Sequence, residues 1–255
     1  MTVSELYQFL DAKLPRSLSC EWDHDGLMCC PDPAREVKRA LFALDITEGV
    51  VDMAVEQGYD VILSHHPLVF HPVGALTTED VVQRKLIRLA RNGISAMSFH
   101  TRLDAVEGGV NDVLAAALGL SNVTAFGPEG EQLGRIGTIS APMSLDAFAA
   151  QVKKTLGSPF VLVSGDGEVS RVAVLGGGGG NDFVSAAEAA GADVLVSGRL
   201  DYHAMIDVSV GNIALIEAGH YYTERPSLAA LAAMVKEADS GIETIIAESG
   251  NIKAI

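Results

Sequence analysis

The most informative part of this chain is the stretch Val61-Ile62-Leu63-Ser64-His65-His66-Pro67, an apolar run that ends in two adjacent histidines. A short run of β-branched and aliphatic residues predicts a buried strand. Successive side chains on a strand point to opposite faces, so both imidazoles can reach one site only where the strand ends. Pro67 marks the turn that follows. The stretch therefore predicts a strand that carries two imidazoles at its carboxyl end.

Two later stretches repeat this arrangement. The apolar run at 94–99 ends in His100-Thr101-Arg102-Leu103-Asp104, and the run at 213–218 ends in Gly219-His220-Tyr221-Tyr222-Thr223-Glu224. In open α/β sheets, ligands gather beyond the carboxyl ends of the strands. We therefore expect one pocket to hold His65, His66, Asp104, His220 and Glu224. Imidazole and carboxylate groups without a thiolate suit Zn, Mn, Fe, Co or Ni, so these residues are candidate metal ligands.

The chain also contains an internal repeat. Gly58-Tyr59-Asp60-Val61-Ile62-Leu63-Ser64 matches Gly191-Ala192-Asp193-Val194-Leu195-Val196-Ser197 at its glycine, aspartate and serine, in one register. A second strand-like run precedes each segment, at 39–44 and 171–175, and a helical stretch lies between the two runs. Each half thus predicts a β-α-β unit. We expect an α/β fold of two similar lobes, related by an internal duplication, with the metal site between them at the carboxyl ends of strands.

The boundary between the lobes is expected in the segment 119–133, whose Gly, Pro, Asn and Ser content is typical of a connection. This assigns residues 1–125 to the first lobe, with the His-His and His-Thr-x-x-Asp motifs. Residues 126–255 form the second lobe, with the Gly-His-x-x-x-Glu motif. The C-terminal segment is predicted to pack back on the first lobe.

Composition excludes several classes of protein. The formal net charge of −15 over 255 residues repels nucleic acid and anionic membrane surfaces. No run reaches the roughly 18 apolar residues of a membrane span. The N-terminus has no basic, apolar leader, and Thr2 and Glu5 form a capping box that opens an amphipathic helix. We expect a cytoplasmic protein that binds neither nucleic acid nor membrane.

Three motifs carry a resemblance to a known family: the stretches at 64–70, 100–104 and 219–224. In this order they resemble the dinuclear-metal, hexameric family labelled GTP cyclohydrolase I type 2 homologues, also called NGG-interacting-factor-like. The resemblance extends to Glu21–Leu27 and Gly191–His203 and so covers most of the chain. It implies that the five candidate ligands hold two divalent metal ions per subunit. It also implies a ring-shaped homohexamer whose sites face an internal cavity.

Two metals can share a bridging carboxylate and a water whose pKa they lower, which generates hydroxide near neutral pH. Asp104 or Glu224 is the expected bridge, and the sequence does not choose between them. His100 ends its strand and is the candidate catalytic residue, as a general acid or base or as an orienting group. A histidine with a purely structural role at the pocket edge is the alternative. His203 could line the same pocket or be structural.

The glycine tract Gly176–Gly180 follows a strand and precedes a helix, a context in which backbone N–H groups can hold a phosphate. A tight turn that lets the chain pass close to its neighbours is the favoured interpretation. For function, the leading hypothesis is a metal-dependent hydrolase acting on a small nucleotide, phosphoester or amide substrate. The alternative is a non-enzymatic scaffold or adaptor with structural or regulatory metals.

Overall fold

The structure is a computed structural model that describes residues 1–128, 131–207, 213–249 and Ile252. Its strands are β1 (Gly26–Cys29), β2 (Arg39–Ala43), β3 (Val61–Ser64), β4 (Ser95–Ser98), β5 (Ser121–Phe126), β6 (Gly134–Ser144), β7 (Leu162–Ser164), β8 (Glu168–Leu175), β9 (Val194–Ser197), β10 (Ala214–Glu217) and β11 (Glu243–Ile246). Its α-helices are α1 (Val3–Lys13), α2 (Glu48–Gln57), α3 (Val81–Arg91), α4 (Thr101–Ala105), α5 (Val110–Ala117), α6 (Leu145–Leu156), α7 (Gly180–Ala189), α8 (Tyr202–Asp207), α9 (His220–Glu224) and α10 (Ser227–Ala238). The predicted α/β class is confirmed.

The chain divides into two compact units. Unit 1 comprises Met1–Leu103 and Leu228–Asn251, and unit 2 comprises Asp104–Ser227 and Ile252–Ile255. The C-terminal segment belongs to unit 1 because β11 pairs in parallel with β2. Residues 104–125, which the sequence analysis assigned to the first lobe, belong to unit 2 because α5 and β5 contact β6 of that unit.

The sheet of unit 1 has the strand order β1-β4-β3-β2-β11 among the described residues. The strands β11, β2, β3 and β4 are parallel, and β1 pairs antiparallel with β4. Leu41, Ile62 and Ala96 pack in one core with α2 and α3. The intervening residues Phe42 and Leu63 are also fully buried. Both faces of the sheet are therefore covered, as continuous apolar strands require.

The sheet of unit 2 has the order β5-β6-β8-β9-β10-β7 in the described part of the chain. Its centre, β8-β9-β10, is parallel, and the flanking pairs are antiparallel. Val172 and Val174 of β8 pack with α5 and α6, whereas Ala173 and Leu175 pack with α7. Alternate residues of β8 thus pack into two different hydrophobic cores, one on each face of the sheet. Helices therefore cover both faces.

The interpretation of 119–133 as a connection was wrong for its first half. Residues Ser121–Phe126 form β5, which pairs antiparallel with β6. The strand has no apolar alternation because five of its six residues are exposed at the sheet edge. Asn122 has a positive φ of 54° where the register shifts. A polar, bulged edge strand therefore has the composition of a loop.

The predicted helix start at Thr2 is confirmed. The Thr2 side chain accepts the N–H of Glu5, and the Glu5 carboxylate accepts the N–H of Thr2. This capping box satisfies two backbone donors at the start of α1. Within the described residues, every helix is too short or too polar to cross a membrane.

Candidate metal centre

The carboxyl ends of β3 and β4 lie side by side in unit 1. The two strands are parallel neighbours, with Ser64 paired with Ser98. The N–H of Phe99 donates to the carbonyl of Ser64 at 2.9 Å, and the Ser64 hydroxyl donates to the carbonyl of His66 at 2.7 Å. These bonds hold the chain as it leaves each strand. The residues that follow, His65 and His66 on one strand and His100 on the other, are thereby brought together.

One ring nitrogen from each of His65, His66 and His100 lies within 4.8 Å of the other two. The ring centroids are 5.0 Å apart for His65 and His66, 5.2 Å for His65 and His100, and 5.6 Å for His66 and His100. His65 is fully buried, and the other two are half-buried. We call these residues the histidine cluster. Its donor set could hold a metal ion of the kind that prefers imidazole.

An oxygen atom faces the Nδ1 atom of each ring in the histidine cluster. The partners are the carbonyl of Phe99 for His65 at 3.0 Å, Oδ1 of Asp45 for His66 at 2.8 Å, and Oδ2 of Asp23 for His100 at 3.2 Å. Metal-binding histidines commonly donate their second ring nitrogen to a carbonyl or carboxylate in this way, which fixes the tautomer and the ring orientation.

Asp23 is nearly fully buried beside His100. Its Oδ2 also accepts the N–H of Thr101 at 3.0 Å and the Thr101 hydroxyl at 2.7 Å. Burial raises the pKa of Asp23, but the hydrogen bonds from His100 and Thr101 outweigh burial and hold the pKa well below its usual range. The carboxylate therefore stays ionised next to the ring of His100.

A second carboxylate, Asp25, fixes the backbone beneath the histidine cluster. Its Oδ2 accepts the N–H of His100 at 2.8 Å and Nε of Arg102 at 2.9 Å. Arg102 is fully buried and also donates to Asp11 at 2.6 Å and to the carbonyl of Leu14 at 2.7 Å. The segment Glu21–Leu27 carries no motif from which these contacts could be predicted. The roles of Asp23 and Asp25 depend on contacts nearly 80 residues apart in the chain.

In unit 2, the chain leaves β10 through Gly219, which has a positive φ of 91°, and enters α9. His220 and Glu224 are one helical turn apart, with Nε2 of His220 3.0 Å from Oε2 of Glu224. Glu224 is buried, whereas the side chain of His220 is 44% exposed. These two predicted ligands therefore lie together at a strand end, with one of them open to solvent.

The glycine tract Gly176–Gly180 lies against this pair. A Cβ atom at Gly177, whose φ is +77°, would lie 2.1 Å from Oε1 of Glu224. A Cβ atom at Gly180 would lie 2.5 Å from the hydroxyl oxygen of Ser197. The backbone N–H of Gly177 donates to the Thr223 hydroxyl at 3.1 Å. Close approach of the backbone to α9 and β9 thus requires glycine, as the tight-turn interpretation expects.

Asp104 lies in α4 and is half-buried. Its backbone carbonyl accepts a hydrogen bond from Nδ2 of Asn111 at 3.3 Å, and Oδ1 of Asn111 accepts the N–H of Gly176 at 2.7 Å. Fully buried Asn111 therefore connects the backbone of Asp104 to the glycine tract. Asn111 could not be predicted from the sequence, because a single amide that bridges two backbone segments has no distinctive spacing.

His203 is exposed in α8, with its ring 5.5 Å from that of Tyr202. Among the described residues, the groups with metal-binding geometry do not include it. The structure thus brings together His65, His66 and His100 in unit 1, and His220 and Glu224 in unit 2. The meeting of all five predicted ligands in one pocket stays a prediction.

A family model described as Duf34/NIF3 (NGG1p interacting factor 3) matches residues 1–251. The chain belongs to the Duf34/NIF3 family. The resemblance drawn from the three motifs is therefore confirmed. Two relatives illustrate the match. A Clostridium perfringens protein named GTP cyclohydrolase 1 type 2 homolog is 32% identical over 254 residues, covering 97% of both chains. Protein NIF3 homolog of Schizosaccharomyces pombe is 31% identical, covering 87% of this chain and 84% of its own length.

Two solved structures share the fold of this chain. A Bacillus cereus protein related to NIF3 superposes with a TM-score of 0.90 at 24% identity, covering 100% of this chain and 99% of its own. Reduced HcgD from Methanocaldococcus jannaschii gives a TM-score of 0.83 at 30% identity, covering 96% and 97%. The α/β architecture with two sheets is thus the architecture of the family.

Proposed function

We propose that this NIF3-family protein binds two divalent metal ions through His65, His66, Asp104, His220 and Glu224, and that it is a metal-dependent hydrolase. The observation that carries the proposal is the histidine cluster, where an oxygen faces Nδ1 of every ring. Clustered imidazoles whose tautomer is fixed in this way are typical of metal ligands rather than of packing.

The residues fit the proposed metals. Imidazole nitrogens and the carboxylates of Asp104 and Glu224 form a donor set suited to Zn, Mn, Fe, Co or Ni. A bound metal pair would supply a water of lowered pKa. The protein's own contribution is to fix the donors. The glycine tract leaves room for the Glu224 carboxylate, Asn111 positions the backbone of Asp104, and Asp45 orients His66.

We propose a small-molecule substrate of the nucleotide, phosphoester or amide class. A groove of about 640 Å³ in unit 2 is lined by His220, and its lining also includes Arg199, Tyr202, Met205 and Glu217. A planar ligand that carries negative charge would match this groove. The groove offers the exposed guanidinium of Arg199, the exposed phenol ring of Tyr202 and the apolar side chain of Met205 beside the proposed ligand His220. The name GTP cyclohydrolase 1 type 2 homolog, borne by several relatives, agrees with the nucleotide class.

The test is turnover by metal-loaded protein. Separate assays would use a nucleoside triphosphate, an activated phosphodiester and a peptide, each with Zn²⁺, Mn²⁺, Fe²⁺, Co²⁺ and Ni²⁺. We expect at least one combination to be hydrolysed, and Asp104→Asn to abolish turnover. Asp166→Asn, an exposed aspartate of the same unit, is the matched control and should retain it. Equal turnover by the wild-type and Asp104→Asn proteins would refute the hydrolase proposal.

A scaffold or adaptor role is the second candidate. It is favoured by exposed apolar side chains at the edge of unit 2, Leu162 and Val163 of β7 and Tyr202 and Ile206 of α8. We propose that these residues also contribute to the homohexamer that the family resemblance implies, because large exposed apolar side chains commonly mark protein interfaces. Metal exchange separates the two functions. A catalytic site exchanges its metal without loss of the assembly, whereas a structural metal leaves only on unfolding.

We further propose that the two units share a duplicated β-α-β segment. Gly58 and Gly191 have positive φ values of 71° and 75°, and each follows a helix. The strands that come next, β3 and β9, each lie between two parallel neighbours. Equivalent strand ends then deliver His65 and His66 in unit 1 and the Ser197 to Leu200 segment in unit 2.

A further inference from the structure

The start of α7 presents backbone N–H groups that make no hydrogen bond. The glycine tract Gly176–Gly180 runs from the carboxyl end of β8 into this ten-residue helix. Its first two N–H groups donate to the side chains of Asn111 and Thr223. The N–H groups of Gly178–Gly180 have no acceptor among the residues that the structure describes. Free N–H groups at the start of a helix, together with the helix dipole, attract an anion.

A buried hydroxyl lies against the same helix start. Ser197, the last residue of β9, is fully buried, and within the described part of the chain its hydroxyl oxygen has no hydrogen-bond partner. This oxygen lies 2.5 Å from the position that a Cβ atom would take on Gly180, the first residue of α7. A buried hydroxyl without a partner destabilises the fold. An anion at the start of α7 would give this hydroxyl an acceptor.

Arg199 brings a positive charge to this place. The residue is exposed, and its guanidinium makes no ion pair or hydrogen bond with any residue described by the structure. Its backbone carbonyl oxygen lies 2.7 Å from the same Cβ position on Gly180. The N–H of Asp201 donates to Oδ1 of Asn181, the second residue of α7, at 2.9 Å, which fixes this segment beside the helix. The guanidinium is thus available to an anion at the helix start.

We propose that the start of α7 binds a phosphoryl group through the N–H groups of Gly178–Gly180, the hydroxyl of Ser197 and the guanidinium of Arg199. A phosphoryl group has several oxygen atoms and can accept from all three kinds of donor. A Cβ atom on Gly178 would lie 3.6 Å from Nδ1 of His220, so the group is held beside that ring. Resting on the proposed function, this site selects the nucleotide and phosphoester classes of substrate over the amide class.

Two carboxylates oppose an anion at this site. Asp182 is exposed in the first turn of α7, and Oε1 of Glu224 lies against Gly177. We therefore expect weak binding of phosphate to metal-free protein. Asp182→Asn should tighten this binding about 2- to 5-fold, the usual effect of one charge near a helix terminus.

The experiment is a calorimetric titration of the full-length, metal-free chain with inorganic phosphate, uridine monophosphate and uridine. Inorganic phosphate and uridine monophosphate should bind, and uridine should bind more weakly because it has no phosphoryl group. Binding of inorganic phosphate without uridine monophosphate would overturn the assignment of the site to a substrate. If removal of metal unfolds the chain by circular dichroism, Zn²⁺-loaded protein takes its place, and the variants described next should still weaken phosphate binding.

Ser197→Ala and Arg199→Gln should each weaken phosphate binding about 10- to 100-fold, because each removes a hydrogen bond to a charged group. Ser95→Ala is the matched control for the hydroxyl. Ser95 is also fully buried and without a partner among the described residues, but it begins β4 in unit 1. Arg171→Gln, which changes an exposed arginine of β8 in unit 2, is the control for the charge. Both controls should bind phosphate as wild type does.

Gly179→Pro tests the backbone donors, because proline has no N–H group. Gly179 has a φ of −86°, close to the value that proline requires. Gly179→Ala is the matched control: it keeps the N–H group, and its Cβ atom would meet Leu175 at an ordinary contact distance of 3.5 Å. We expect Gly179→Pro to weaken phosphate binding about 10-fold and Gly179→Ala to leave it unchanged.

The outcomes separate this site from the function it rests on. No phosphate binding by folded wild-type protein, or unchanged affinity in Ser197→Ala, Arg199→Gln and Gly179→Pro, would overturn the site. If these variants weaken binding while metal-loaded protein hydrolyses nothing, the phosphoryl site stands and the hydrolase proposal fails. If metal-loaded protein hydrolyses a peptide and no phosphorylated compound, the hydrolase proposal stands and the substrate class inferred from this site is wrong.

Discussion

Asp60 and Asp193 make the same pair of hydrogen bonds in their two units. Oδ2 of Asp60 accepts the backbone N–H groups of Lys38 and Arg39 at 2.8 and 2.9 Å. Oδ2 of Asp193 accepts those of Ser170 and Arg171 at 2.8 and 2.7 Å. Each carboxylate thus ties the residue before one strand to the neighbouring strand. The equivalence supports the proposed duplication and leads to the first prediction.

Asp60→Asn should lower the free energy of unfolding of the protein near neutral pH by about 1.5–3 kcal/mol, because hydrogen bonds to an ionised group are lost. Burial raises the pKa of Asp60, but the N–H groups of Lys38 and Arg39 and the Arg35 guanidinium outweigh it and lower the pKa. A lowered pKa stabilises the fold above the ordinary carboxyl pKa of about 4, and this stabilisation is lost as pH falls through the folded-state pKa. Thermal melts from pH 7 to pH 3 measure it.

The difference in melting temperature between wild-type and Asp60→Asn proteins should therefore shrink below about pH 4. Asp166→Asn, an exposed aspartate, should melt as wild type at every pH. A difference that stays constant down to pH 3 would mean that the charge of Asp60 contributes nothing.

Arg102→Met should destabilise the protein by about 3–5 kcal/mol, because it leaves the buried carboxylate of Asp25 without its ion-pair partner. Arg102 and Asp25 are both fully buried at the side chain. The Arg102→Met/Asp25→Asn double variant should recover part of this loss, since it removes the unpaired charge. Denaturant unfolding of Arg102→Met, Asp25→Asn and the double variant measures the coupling, and purely additive losses would contradict it.

Gly177→Ala should disturb the Glu224 carboxylate and lower metal content. Its added Cβ would lie 2.1 Å from Oε1 of Glu224, in a backbone with a φ of +77°. Gly167→Ala is the matched control: its φ is +112°, and nothing lies within 4 Å of the added Cβ. Both variants should lose about 1–2 kcal/mol from backbone strain. Only Gly177→Ala should lose bound metal by elemental analysis, and equal metal contents would disprove the contact.

Asp45→Asn should weaken metal binding about 10- to 100-fold, because it removes the carboxylate that faces Nδ1 of His66. Competition with a chelator of known Zn²⁺ affinity measures the change. Asp52→Asn, which breaks an exposed ion pair with Arg88 in the same unit, is the control and should bind Zn²⁺ as wild type does. Identical affinities for Asp45→Asn and wild type would exclude an orienting role for Asp45.

The sequence was sufficient for features encoded by short, continuous patterns. Apolar runs in the sequence predicted β3, β9 and β10. Histidines directly after the apolar runs of β3, β4 and β10 identified the strand ends that carry candidate ligands. It was insufficient where a contact joins distant residues. Neither the contact of Asp23 with His100 nor the burial of Arg102 against Asp25 has a local signature.

The unit boundary illustrates the same limit. The composition of 119–133 is that of a connection, yet β5 gains its structure from pairing with β6. An edge strand buries few side chains, so its sequence carries no periodic apolar signal. The parallel pairing of the C-terminal strand β11 with β2, a strand some 200 residues earlier, likewise has no local signature in the sequence.

The most direct test of the central claim is the number of metal ions per chain, measured by elemental analysis after loading with excess Zn²⁺ and desalting. We expect about two ions in the wild-type protein, about one in Glu224→Ala and at most one in His65→Ala, with His71→Ala unchanged. Absence of metal from the wild-type protein, or the same metal content in all four proteins, would contradict the proposed dinuclear centre.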